Sequence, residues 1–187
     1  MLSNTRTKNM VVASLLCAIG IVIPIVSPIK IILEPASFTL ASHVAVFIAM
    51  FISPFVSLNV AIGTTVGFFI GGFPIVVVLR ALSHVVFVMI GAYILKNKPD
   101  ILSTKYKSFL FGIFIAIIHG ICEVLIVTPF YFSSSLTSGY YSNGFVHSVI
   151  LLVGVGTVIH SIIDYVISII IWDAIKHAKV IQTSTAR

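Results

Sequence analysis

Between Phe38 and Leu95 the chain runs for 58 residues with a single charged side chain, Arg80. A lipid-spanning helix needs about 20 apolar residues, so this one run must hold two or three membrane crossings. The rest of the chain agrees. Of its 187 residues 59% are hydrophobic and only 9% charged, with a mean hydropathy of +1.19. A soluble domain of that length cannot hide so much apolar surface, and the solvent must be the bilayer.

Proline and glycine set the number of crossings. "ISPF" (52–55) and "GGFP" (71–74) interrupt the run, and the residue before a proline is pushed out of helical geometry. Three helices therefore fit the run better than two. The expected fold class is an all-α integral membrane protein, one domain over residues 1–187, with six transmembrane helices at about 9–27, 38–53, 55–71, 74–95, 108–131 and 145–173. The first of these could pass for a secretory leader, but no small-residue cleavage site followed by a polar domain comes after it, so it reads as the first span. Six crossings put Arg6, Lys8, Lys96, Lys98, Lys105, Lys107, Lys176, Lys179 and Arg187 on one side, nine of the eleven basic residues. Only Lys30 falls on the other side. By the positive-inside tendency both termini are expected in the cytoplasm. The net charge of +6 thus reads as topology and not as a nucleic-acid face.

The ionisable residues within the spans form three pairs at i, i+4: Arg80/His84, His119/Glu123 and His160/Asp164. That spacing puts both members of a pair on one helical face. Ionisable groups at membrane depth are costly and face a bundle interior or a polar cavity, so three such faces argue for one shared polar centre. Helix rise sets Arg80, His84, His119, Glu123 and His160 between roughly 9 and 18 Å below the outer surface. Asp164 is expected at roughly 22 Å, as the outlier. His43, near the outer end of the second helix, is a candidate for the same cavity, whereas His147 and His177 read as interfacial. Two roles for Arg80 stay open: a buried ion pair with Glu123 that fixes helix register, or a contact to an anionic group of a ligand.

The outer loop "PFYFSSSLTSGYYSNG" (129–144) supplies aromatic rings with hydroxyl groups and an amide among them, including Tyr140 and Asn143. Such a wall suits a small ring-bearing ligand or, equally, an interfacial aromatic belt. Gly63, Gly67 and Gly71 form a small-x3-small face on the third helix, and Ala13/Cys17 and Ser14/Ala18 repeat that spacing on the first. Cys17 and Cys122 lie in apolar runs and are expected as small helix residues without a disulfide. No Walker A, Gly-x-Ser-x-Gly or Cys-x-x-Cys pattern occurs, so the chain hydrolyses no nucleotide itself. The His/Glu/Asp set offers ligands of the kind zinc accepts, which keeps an intramembrane metal-dependent hydrolase as the alternative. Without the Glu-Glu pair preceding an Arg that intramembrane prenyl-protein proteases carry, no enzyme, metal or cofactor is expected.

On "ASLLCAIGIVIP" (13–24), "EPASFTLASHVAVFIAMFISP" (34–54), "GTTVGFFIGGFP" (63–74) and "LRALSHVVFVMIGA" (79–92), the chain resembles the substrate-binding S components of energy-coupling factor (ECF) vitamin transporters. The resemblance covers most of the chain and is weakest after about residue 130. It implies a bacterial cell-membrane protein that captures a water-soluble vitamin from outside and topples to release it inward. Its partners would be a transmembrane T component and two cytoplasmic ATPase subunits. It further implies that the small face of the first helix docks the T component, here Ala13, Ser14, Cys17 and Ala18 in place of strict alanines. Residues 28–37 would form a lid. For the vitamin, Arg80 with its neighbouring histidines favours a carboxylate, as in pantothenate or niacin. Glu123 points instead to an amino-bearing ring such as hydroxymethylpyrimidine or a pyridoxine-like compound, and an Arg80 already neutralised by Glu123 would suit a neutral vitamin best. The expected substrate-binding set is His43, Arg80, His84, His119, Glu123, His160, Tyr140 and Asn143.

Overall fold

The computed structural model describes residues 2–33, 36–136 and 138–177, and side chains from residue 6 onward except those of 30–37 and 140. Lys179, Arg187 and the tip of the expected lid at 34–35 lie outside the described residues.

Helix α1 (Leu2–Val26) ends where Ser27-Pro28 breaks it, and a two-stranded antiparallel hairpin follows, β1 (Lys30–Leu33) and β2 (Ala36–Thr39). Helix α2 is short, Val44–Ile52. It stops at Ser53, which is extended and accepts a hydrogen bond from the Val56 N–H, capping α3 (Pro54–Ile70) with a proline at its first position. Gly72, at φ +74°, turns the chain out of α3, a conformation open to glycine at little cost. Helix α4 (Ile75–Asn97) and α5 (Lys105–Phe132) are joined by a 3₁₀ turn, Pro99–Ser103. The last long element starts as a π-helix, Val146–Val155, and continues as α6 (Gly156–His177). Four helical stretches among the described residues are long and apolar enough to cross a membrane: Arg6–Val26, Ile75–Asn97, Lys105–Phe132 and Val146–His177.

The second helix departs from expectation. It begins at Val44 and not near residue 38, because 36–39 pair with 30–33 as a hairpin and 40–43 form a turn. At nine residues α2 is only about 13 Å long. Every residue from Val44 to Phe51 is buried, and a helix apolar on all sides belongs at the centre of the bundle.

Gly63 and Gly67 of the glycine face of α3 pack against α1, while Gly71 is exposed at the helix end. A Cβ on Gly63 would lie 2.5 Å from Cys17 Sγ, and one on Gly67 would lie 2.2 Å from Ile21 Cδ1. The missing side chains are what let α1 and α3 approach. Elsewhere α1 presents Val11, Leu15, Ile19, Val22 and Val26 outward, each about half exposed, which suits a lipid-facing helix. Phe47 and Phe51 of α2 pack ring against ring with Phe87, Tyr165 and Trp172.

Candidate functional site

Four histidines from four elements meet at the start of α2. His43 is the N-cap residue of α2, and its ring centroid lies 4.9 Å from that of His84 on α4, 4.8 Å from His119 on α5 and 5.0 Å from His160 on α6. His84 and His119 also meet edge to face at 4.8 Å. His119 is fully buried, and His84 and His160 are nearly so.

Two carboxylates organise the rings. Glu123 is ion-paired to Arg80 through Nε. Its other oxygen, Oε1, lies 3.4 Å from His119 Nε2 and 3.6 Å from His84 Nε2. Asp164, fully buried on α6, accepts from the Ala41 N–H at 2.8 Å, the His43 N–H at 2.9 Å and His43 Nδ1 at 3.0 Å. His160 Nε2 lies 3.3 Å from the same Asp164 oxygen and 3.1 Å from Ser42 Oγ. His119 Nδ1 is bonded to Ser161 Oγ at 3.2 Å. Buried charges need such partners, because leaving either member of a buried pair alone costs about 3–5 kcal/mol.

Asp164, expected apart from the other groups, therefore joins their centre. It is no outlier but the anchor of His43, and the late start of α2 explains why. The hairpin and the turn at 40–43 carry the chain down to the level of Asp164 before helix begins. Ala41 takes φ +67° in that turn, a conformation that costs a residue with a Cβ about 1–2 kcal/mol. Asp164 holds it there through the Ala41 N–H. Phe38, at the end of β2, reaches the same centre, with its ring 5.4 Å from that of His160 and against Gly156. Ser42, Ser161, Phe38 and Asp164 are thus site-shaping residues absent from the expected set. Only Asp164 gave a signal beforehand, its i, i+4 spacing from His160.

The structure brings together His43, Arg80, His84, His119, Glu123 and His160. Asn143 is exposed in the turn before the π-helix, and the side chain of Tyr140 lies outside the described residues. The other loop aromatics pack on one another: Tyr131 on Tyr141 at 5.0 Å, Tyr131 on Phe145 at 5.3 Å and Phe132 on Phe145 at 5.1 Å. They cover the ends of α5 and the π-helix. On α1, Ala13 is buried and Cys17 turns toward the Asn59 and Val60 carbonyls of α3, while Ser14 and Ala18 face outward.

No protein-family model matches the chain, and no solved structure matches it. The chain is 38% identical over 161 residues to the niacin transporter NiaX of Lactococcus lactis subsp. cremoris (strain MG1363), covering 86% of this chain and 71% of that one. The match lies with a transporter, and the hydrolase alternative gains nothing from it. The transporter relative and the four long apolar helices together make this chain a multi-pass protein of the bacterial plasma membrane. An identity of that extent, over helices that gather the expected ionisable pairs into one buried centre, settles the family: the chain belongs with NiaX among the S-component vitamin transporters.

Proposed function

We propose that this chain is the high-affinity substrate-binding subunit of an ECF-type importer and that its vitamin is niacin, with pantothenate the next candidate. The observation that carries this reading is Arg80, partly buried and paired with Glu123 next to a cluster of four histidines from four elements. A guanidinium holds a carboxylate through a planar fork of donors. Arg80 is engaged by Glu123, but Glu123 has His84 and His119 within 3.6 Å of its other oxygen. A vitamin carboxylate can share Arg80 while Glu123 leans on the imidazoles. The similarity to a niacin transporter supports the same choice.

In this reading the chain crosses the membrane six times with both termini cytoplasmic, and α2 completes its crossing together with the hairpin and turn before it. Its partners are a transmembrane T component and two cytoplasmic ATPase subunits. Ser14 and Ala18 on the outer face of α1 meet the T component, and residues 28–37 cover the site.

The test is equilibrium binding of niacin, nicotinamide and pantothenate to purified protein in detergent, for wild type and Arg80→Lys. Lysine keeps the charge and loses the fork. Niacin affinity is expected to fall by ~1.5–3 kcal/mol, about 10- to 150-fold. Folded Arg80→Lys protein with unchanged affinity for every vitamin would refute the ligand contact and leave Arg80 as a register-fixing pair with Glu123.

A further inference from the structure

Four imidazoles, with the His43 ring about 5 Å from each of the other three, are hard to explain by packing or by anion binding alone. One ring nitrogen each of His43, His84 and His119 lies within 4.8 Å of the other two. The Nδ1 atoms of His43 and His119 are engaged by Asp164 and Ser161. That leaves Nε2 of His43 and His119 as the nitrogen able to bind something else, while His84 Nε2 lies 3.6 Å from Glu123 Oε1. His119 Nε2 is buried and makes no hydrogen bond of good geometry, only the 3.4 Å approach to Glu123. A ring with one nitrogen held by a carboxylate or hydroxyl and the other presented to a common point is the usual arrangement of a metal-binding histidine.

Charge leads to the same place. Apart from the imidazoles, the cluster carries one cationic group, Arg80, and two carboxylates, Glu123 and Asp164. A vitamin carboxylate would bring the buried centre to two net negative charges, and uncompensated charge in such a site is strongly disfavoured. One divalent cation cancels that excess.

We propose that His43, His84 and His119 bind a divalent transition-metal ion of the zinc type, and that the vitamin's pyridine nitrogen is its fourth ligand. This rests on the niacin reading above. Three histidines and one open position form a tetrahedral zinc site, with Zn–N bonds of about 2.0–2.1 Å and ligand nitrogens about 3.3 Å apart. Binding would draw the three nitrogens in from within 4.8 Å to that spacing. Imidazole and pyridine nitrogens are both borderline donors suited to zinc, cobalt or nickel. The carboxylate on the same ring then goes to Arg80, one helical turn from His84 on α4. Asp164 and Ser161 orient the ligating rings.

The test uses full-length protein carrying no polyhistidine tag, stripped with a chelator and re-equilibrated with zinc or cobalt. Elemental analysis should find close to one ion per chain. Stripped protein should bind nicotinate about 10- to 100-fold more weakly, the range for disturbing a metal site, and zinc should restore it. Cobalt-loaded protein should show a tetrahedral visible spectrum that changes when nicotinate is added, and does not change with benzoate, which lacks the ring nitrogen. His84→Ala should lose the ion; the strip-and-restore cycle on wild type serves equally if that variant does not fold. Failure to retain zinc, or undiminished nicotinate affinity in stripped protein, overturns the proposal while leaving the transport reading intact. A full complement of zinc with no vitamin bound would instead sink the niacin reading, and the ring-nitrogen ligand with it.

Discussion

Asp164→Asn is the substitution that most directly tests how the site is held together. The carboxylate is fully buried and receives three donors from residues more than 100 positions earlier: the Ala41 N–H, the His43 N–H and His43 Nδ1, at 2.8, 2.9 and 3.0 Å. Asparagine fills the same space but turns one acceptor oxygen into an NH₂ donor. At least one charge-assisted bond is lost, worth about 1.5–3 kcal/mol, and one buried donor is stranded. Because these terms overlap, the net cost should be about 2–4 kcal/mol. For a chain of this size that corresponds to a Tm lower by about 5–15 °C. The same change frees the turn at 40–43 and lets His43 swing, so niacin affinity should fall as well. Thermal melting of detergent-purified protein and vitamin titration read the two effects. Asp173→Asn is the control, since its pair with Lys176 is about half exposed and such surface pairs contribute about 0–1 kcal/mol. If Asp164→Asn melts within a degree or so of the control, the carboxylate does not anchor α2.

Gly112→Ala should destabilise by about 1–3 kcal/mol, read by the same melt, because its new Cβ would lie 2.5 Å from the buried Tyr165 ring, which packs against Phe47, Phe51 and Phe111. Ser14→Leu and Ala18→Leu should abolish cellular uptake while purified protein still binds vitamin, and loss of binding by both would remove the docking role. Ala13→Leu cannot serve in that comparison, since Ala13 is buried and its enlargement reports packing. For topology, a single cysteine at Ser138 in a Cys-free background should react with an impermeant reagent from outside, and one at Asn97 should not; the reverse pattern ends the six-crossing arrangement.

The i, i+4 pairs on the last three helices were legible because ionisable residues in apolar helices have few places to go. Sequence spacing alone brought Arg80, His84, His119, Glu123 and His160 to one centre, and the structure joins them there. What spacing could not reveal was the path of residues 28–43. "IKIIL" and "ASFT" are as apolar as a helix start, and a short apolar run does not distinguish strand from helix. The expected helix consequently begins too early, which leaves His43 too near the outer surface to meet Asp164. The loop aromatics illustrate a different limit. Composition identified an aromatic wall, but only coordinates show Tyr131, Tyr141 and Phe145 covering helix ends.

The ten-residue π-helix Val146–Val155 has a consequence for how this chain can change length. Its i→i+5 bonds take up more residues per turn than an α-helix. Removing one residue there can be absorbed by tightening a wide turn, and α6 keeps His160, Ser161 and Asp164 on their present face. The same deletion between Arg80 and His84 has no wide turn to draw on. It would rotate one member of that pair by about 100° relative to the other, the angle of a single α-helical residue. Length variation among homologous chains should therefore gather in the π-helical stretch and avoid the middle of α4.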